Sequence, residues 1–161
     1  ADQGLAPAQW VLGLIYDQGD GVPQDHAKAA AWFTKAAEQG LSKAQYNLAH
    51  SYQSGQGVPQ SSEKAAEWYT KAAEQGDAVA QRELAAMYYT GDGVLQDLQK
   101  AAELMAKAAK QDDAEARRLL ATLDRLGATP PVIMAARLGR SRIWERSEEG
   151  RSDDIMTSEH S

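Results

Sequence analysis

Apolar residues recur at spacings of three and four along the first part of the chain, which places them on one face of an α-helix. The first such face is formed by Ala8, Leu12, Ile15 and Tyr16. Equivalent faces follow, formed by Ala44, Leu48, Ser51 and Tyr52 and then by Ala80, Leu84 and Tyr88. We expect these residues to form the core of a helical protein. Between them, one position holds only Gly13, Ala49 or Ala85, and its small side chain should let a neighbouring helix approach closely.

The whole pattern repeats every 36 residues. Two glycine positions show this most clearly, and they are held by Gly19, Gly55 and Gly91 and by Gly21, Gly57 and Gly93. A period of about 20 to 50 residues is typical of a solenoid, in which each unit buries its apolar face against its neighbours. We predict units of a helix A, a glycine loop and a helix B at about 5–40, 41–76 and 77–112, then a half repeat at 113–127. Residues 1–4 are interpreted as the end of a preceding repeat or a processed N-terminus.

The residue types in the loop between helix A and helix B have physical explanations. Gly19 follows helix A, where a left-handed backbone costs other residues about 1 kcal/mol or more. Gly21 gives a second permissive position for the chain reversal. Helix B of the first unit is predicted from about residue 27 to 39. The N-cap position before helix B holds a favourable Asp or Ser in every unit, as Asp25, Ser61 and Asp97.

The Gly-x-Gly-Val loop, the Lys-Ala and Trp of helix B, and the closing Lys-Ala-Ala-Glu-Gln-Gly closely resemble the Sel1-like repeat, a relative of the tetratricopeptide repeat. The resemblance covers about residues 5–112. It implies an all-α fold, a right-handed superhelix (solenoid) of antiparallel helix pairs. It also implies a scaffold or adaptor that binds other proteins, often in bacteria.

The third unit departs from this motif. Leu95 replaces the proline of the loop, Leu104 replaces the tryptophan, and Asp112 and Asp113 end the unit where the others have glycine. Some exported bacterial members of the family carry a disulfide in each repeat, a feature that a chain without cysteine excludes. The compartment stays open, because bacterial periplasmic or exported and cytoplasmic locations all fit the sequence.

Charge and composition exclude several classes of function. The formal net charge is −6 and the pI about 5.1, whereas nucleic-acid binders usually concentrate Lys and Arg on one face. We therefore expect no nucleic-acid partner. No stretch approaches the roughly 18 consecutive apolar residues of a membrane helix, so membrane insertion is not expected either.

The spacings of the Asp, His and Ser residues do not match known metal-binding or catalytic motifs. Asp17, Asp20 and Asp25 surround glycines, but an EF-hand needs further oxygen ligands where this loop has Gly19 and Gly21. The three histidines are scattered and show no metal-binding spacing. No Gly-x-Ser-x-Gly nucleophile elbow is present. We predict no enzyme activity, no metal and no cofactor.

A second stripe on helix A differs from unit to unit and is our candidate binding surface. If helix A lines the concave side, as in related superhelices, the stripe forms a groove that changes from aromatic to basic. Trp, Tyr and Arg are enriched at binding hot spots. The candidate residues are Trp10, Leu14, Asp17, Tyr46, His50, Gln53, Arg82, Tyr89, Arg118 and Arg125. An equally plausible reading is that Trp10 packs against an upstream helix and Tyr46 against the edge of its neighbour.

Residues 128–161 lose the repeat motif. The apolar pattern from Val132 to Trp144 predicts an amphipathic capping helix, and the polar residues from Ser147 onward predict a disordered tail. Three functions fit the sequence. The chain is an adaptor that binds a peptide or protein partner on the concave helix A surface, or a structural spacer of a larger bacterial protein, or it self-associates through the tail.

Overall fold

Seven α-helices follow one another through residues 5–125 and 127, which are the residues that the structure, a computed structural model, describes. The helices are α1 (Leu5–Gln18), α2 (His26–Glu38), α3 (Ser42–Ser54), α4 (Ser62–Glu74), α5 (Ala78–Thr90), α6 (Leu98–Lys110) and α7 (Ala114–Arg125). The predicted all-α fold is confirmed. The expected capping helix and tail at 128–161, and the expected repeat end at 1–4, lie outside the described residues.

Each helix packs against the helices that precede and follow it along the chain, so the helices form sequential antiparallel pairs. Helices α1, α3, α5 and α7 are the predicted A helices, and α2, α4 and α6 are the B helices. The core follows the same order in three clusters that share half-buried residues at their borders. In each cluster, the same buried position of helix B holds a large side chain. These side chains are Phe33, Tyr69 and Met105.

Helix B approaches helix A closely, as the small residue on helix A predicted. A Cβ atom on Gly13 would lie 2.5 Å from the ring of Phe33. A larger residue there would therefore have to displace the ring. Ala49 and Ala85, at the same position, are completely buried.

The predicted N-caps of helix B are confirmed in all three units. Asp25 and Asp97 each accept a hydrogen bond of 3.0 Å from the backbone N–H three residues later, and Ser61 accepts one of 3.3 Å. The N–H of Lys28 and the charge of that residue lower the pKa of Asp25. After helix A, Gly55 and Gly91 adopt φ angles of 71° and 77°, so the left-handed C-cap is also confirmed.

The second glycine of the loop allows a close contact between units. A Cβ atom on Gly57 would lie 2.0 Å from the carbonyl oxygen of His26, at the start of α2, and one on Gly93 would lie 2.3 Å from that of Ser62, at the start of α4. Nothing lies within 4 Å of the same point on Gly21. The sequence explained this glycine by chain reversal alone and did not predict the contact.

The core prediction is wrong at the start of the array. Leu12 is 37% exposed and Ala8 is exposed, whereas Leu48, at the position of Leu12 in the second unit, is 1% exposed. The reason is that Leu48 packs in one cluster with Phe33 of the preceding helix B. No helix precedes α1 among the described residues, so its equivalent face has no partner there.

A row of buried glutamines joins the helices. Gln45 donates a hydrogen bond of 3.2 Å from its amide nitrogen to the carbonyl oxygen of Ala37 in the preceding unit, and it accepts one of 2.7 Å from Gln75. The buried members of the row are Gln9, Gln45 and Gln81. The sequence analysis missed them because it followed only apolar residues. Their shared register, 36 residues apart, was the available signal.

Candidate functional site

The helix A surface, defined as the predicted stripe along α1, α3, α5 and α7, is partly used for packing. Trp10, Tyr46 and Arg82 occupy its first position in the three units, and all are half-buried. The indole N–H of Trp10 donates to the side-chain oxygen of Asn47 at 2.8 Å, and the amine of Lys43 lies 5.2 Å from the indole ring centre. Trp10 therefore packs forward on α3. No helix precedes α1 among the described residues, so packing of Trp10 against an upstream helix stays a prediction.

Tyr46 packs on Tyr69 of its own unit and against a core cluster that also contains residues of α5, so the alternative that it packs against its neighbour is supported. Its ring centre lies 5.8 Å from that of Tyr69 and 6.5 Å from that of His50. The hydroxyl of Tyr69 donates to the side-chain oxygen of Gln53 at 2.8 Å. Burial raises the pKa of both tyrosines, because the charged form would lose its hydration. These contacts leave little of Tyr46 or Gln53 for a partner.

Arg82 is held by carboxylates. Its guanidinium contacts Glu83 at 3.1 Å, Asp113 at 3.3 Å and Glu115 at 2.9 Å, so it links α5 to the start of α7. Partial burial acts to lower the pKa of Arg82, but the hydrogen bond to Glu83 and the nearby carboxylates outweigh it and the pKa is raised. The geometry makes Arg82 a link between units.

Two further candidates near the start of the array also have partners. Asp17 lies 2.9 Å from the Nδ1 atom of His26, which ties the end of α1 to the start of α2. Leu14 packs against the first core cluster. The exposed candidates lie on α3, α5 and α7. They are His50, Tyr89, Arg118 and Arg125.

An apolar cavity of about 160 Å³ opens on this exposed part of the helix A surface. It is lined by Ala86, Tyr89, Met105, Leu119, Thr122 and Leu123, so it lies between α5 and α7 with α6 behind it. Two of these residues, Tyr89 and Leu119, are each 39% exposed and form part of its rim. The helix A stripe in the sequence predicted Tyr89, but it did not predict Leu119, Met105 or Leu123.

The cavity lies where the third unit departs from the second. Tyr69 fills the core of the second unit and its hydroxyl reaches Gln53 on the helix A surface. At the same position Met105 has a narrower side chain without a hydroxyl. Tyr89, at the position of Gln53, consequently has no such hydrogen-bond partner and stays at the surface. Met105 thus lines the apolar cavity at the position that Tyr69 occupies in the second unit.

No cluster of His, Asp and Glu that could hold a metal ion is found among residues 5–125 and 127. None of the helices in that part of the chain is long and apolar enough to cross a membrane. The helix A surface combines exposed side chains on α3, α5 and α7 with the apolar cavity between α5 and α7. Such a surface can bind a ligand by shape, apolar contact and charge.

Comparison with known proteins adds the family. The Sel1 repeat model matches three consecutive segments of the chain, residues 6–41, 42–77 and 78–113. The chain belongs to the Sel1 repeat family. This confirms the resemblance seen in the sequence. Members of this Sel1 repeat family are typically non-catalytic, and their repeats generally mediate protein interactions. No curated protein sequence matches the chain.

Solved structures of Sel1-like repeat (SLR) proteins share the fold. The chain is 42% identical to c5321, a protective antigen of uropathogenic Escherichia coli with an SLR fold, over 79% of this chain and 27% of that one, with a TM-score of 0.76. It is 36% identical to a Sel1 repeat protein from Oxalobacter formigenes, over 73% and 49% of the two chains, with a TM-score of 0.71. The chain thus spans about a quarter and a half of these relatives' lengths.

A more distant SLR structure is Helicobacter pylori cysteine rich protein B. It is 27% identical, and the match covers 58% of this chain and 70% of that one with a TM-score of 0.56. The present Sel1 repeat chain has no cysteine. Its repeats are therefore held by packing and hydrogen bonds without disulfides.

Proposed function

We propose that this Sel1 repeat chain is a scaffold or adaptor that binds a peptide or protein partner on the exposed part of its helix A surface. The observation that carries the proposal is the apolar cavity between α5 and α7, whose rim exposes Tyr89 and Leu119. Apolar pockets with an aromatic residue at the rim are typical anchor points of interfaces. We take this surface to be the concave side, on the analogy of related superhelices.

Only some of the candidate residues are suitable for a test of binding. Trp10, Tyr46 and Arg82 already contact side chains of the chain itself, so replacing them would disturb packing as well as binding. Tyr89 and the two exposed arginines of α7, Arg118 and Arg125, have no such role among the contacts described. They are therefore the better residues for a test.

Replacing Tyr89 by Glu tests the proposal, because it places a charge at the rim of the apolar cavity. The matched control is Leu95→Glu, since Leu95 is 91% exposed on the loop between α5 and α6. Each full chain is immobilised and the proteins captured from its native host are quantified by mass spectrometry. We expect at least one protein to be retained by the wild type and by L95E but reduced about tenfold or more by Y89E.

Circular dichroism verifies that both variants are folded before the comparison. If Y89E and L95E capture the same proteins in the same amounts, the partner does not bind at this surface. The second candidate function, a structural spacer, would give that result. It is supported by a different observation, the buried glutamines and ion pairs that join successive units and stiffen the array.

A further inference from the structure

The apolar cavity between α5 and α7 is flanked by two exposed arginines, Arg118 and Arg125. Arg118 precedes Thr122 by four residues and Arg125 follows it by three, so both lie on the same face of α7 as that cavity residue. Both arginines are exposed, and neither makes an ion pair within residues 5–125 and 127. Arg82 and Arg117, by contrast, are paired with carboxylates. The site is suited to an apolar side chain that has acidic neighbours.

The chain itself contains a segment with this chemistry. Residues 152–161, which we term the acidic segment, include Asp153, Asp154 and Glu159 and no Lys or Arg. Two apolar residues, Ile155 and Met156, directly follow the aspartate pair. The other apolar stretch beyond α7, residues 132–144, carries three arginines, at 137, 140 and 142, which Arg118 and Arg125 would repel. Charge therefore favours the acidic segment.

The connection is long enough for this segment to reach the cavity of its own chain. Thr122 lies five residues before Gly127, roughly 8 Å along a helix at 1.5 Å per residue. From Gly127 to Asp153 the chain has 26 residues, and a chain of that length can span at most roughly 90 Å when fully extended. Because the segment and the cavity belong to one chain, docking between them is intramolecular and does not depend on the protein concentration.

We propose that the acidic segment docks in the apolar cavity of its own chain, with Ile155 or Met156 in the cavity and the aspartates beside Arg118 and Arg125. The docked segment covers Tyr89 and competes with any external partner. This regulatory consequence rests on the proposed function, whereas the docking itself does not. A partner that displaces the segment must then share its chemistry, an apolar residue next to carboxylates.

The test uses the full chain with a single spin label. The natural sequence has no cysteine, so Ser158→Cys gives one attachment point for a nitroxide, which broadens nearby NMR signals. We expect the methyl signal of Met105 and the amide signals of Leu119 and Leu123 to lose most of their intensity. Leu48, on α3, should keep its intensity. Reduction of the nitroxide should restore the lost signals.

Charge reversal checks the proposed contacts. The double substitution of Asp153 and Asp154 by Lys should abolish the broadening, and adding Arg118→Glu with Arg125→Glu should restore it. Unchanged cavity signals in the spin-labelled wild type would overturn the proposal. So would broadening that appears when isotope-labelled chains without a nitroxide are mixed with spin-labelled chains, because that result places the segment on a second copy.

This readout involves no external partner, so its failure leaves the proposed function intact. Conversely, if docking is seen and Y89E captures the same proteins as L95E, the proposed function fails while the docking stands. If both hold, D153K/D154K should capture more of the partner than the wild type does, because its cavity is free.

Discussion

At the residue scale, the second glycine of each loop has two roles that only the structure separates. All three adopt positive φ angles, 72° at Gly21, 76° at Gly57 and 70° at Gly93, which favour glycine. Only Gly57 and Gly93 also lie against the backbone of the preceding helix B. The sequence predicts the backbone conformation but not the contact, because a contact partner 31 residues away leaves no mark on the loop itself.

This difference gives a matched pair of substitutions. Gly21→Ala introduces strain from the left-handed backbone alone, and we expect it to lower the free energy of unfolding by about 1 kcal/mol. Gly57→Ala adds a clash with the carbonyl of His26, which must shift, and we expect a loss of about 3 kcal/mol or more. Urea unfolding followed by circular dichroism measures both. Equal losses would show that the contact with α2 carries no cost.

At the element scale, the sequence predicted the helices well. Helix B of the first unit was expected at about 27–39 and lies at His26–Glu38. Periodicity succeeds here because caps and glycines act locally, within a turn of the helix end. It fails at Leu12, since periodicity identifies a face but not whether a neighbour covers it. For the same reason the stripe was predicted as one surface, although Trp10 and Arg82 are engaged in packing.

The turn after α6 differs from the turns after α2 and α4. Gly40 and Gly76 adopt a φ of 91°, and Asp112, at the same position, adopts 66° without being a glycine. Its carboxylate pairs with Arg117, but this pair is largely exposed and such pairs contribute little. The turn therefore retains backbone strain that its two counterparts avoid.

Replacing Asp112 by Gly should relieve that strain. We expect the free energy of unfolding to rise by about 0.5–1 kcal/mol. The reverse substitution, Gly76→Asp, should lower it by a similar amount, because a Cβ atom there meets nothing within 4 Å and only the backbone conformation is penalised. Thermal unfolding of both variants measures the effect. A loss of stability in D112G would show that the pair with Arg117 outweighs the strain.

At the scale of the whole molecule, the units are joined by polar bonds as well as by apolar packing. Gln45 and Gln81 each bond to a carbonyl of the preceding helix B, and Gln9 has no such carbonyl among the described residues. Local sequence patterns offer no chemical reason to expect buried polar side chains in an alanine-rich core. Their role depends on carbonyls at the end of another helix, which accept a hydrogen bond from a backbone N–H of the following turn and another from the glutamine.

Gln45→Leu tests how strongly these bonds couple the units. Leucine would leave the carbonyl of Ala37 and the amide of Gln75 without this partner, and we expect a loss of about 1–3 kcal/mol in the free energy of unfolding. Gln9→Leu removes only the bond with Gln39 and should cost less. Urea unfolding is the measurement, and a broader transition for Q45L would show weaker coupling. Equal effects of the two substitutions would argue against coupling through Ala37.

Two contacts between units are made by residues that recur at the same positions of each repeat. The surface that one unit presents to the next is therefore similar along the array. Gln45 meets Ala37 as Gln81 meets Ala73, and Gly57 meets His26 as Gly93 meets Ser62. A gene that encodes such an array can gain or lose whole 36-residue units by duplication or deletion and still keep these two recurring contacts. An insertion or deletion of only a few residues would shift these residues out of register and break the contacts with a neighbouring unit. The length of such an array is therefore expected to change in multiples of 36 residues.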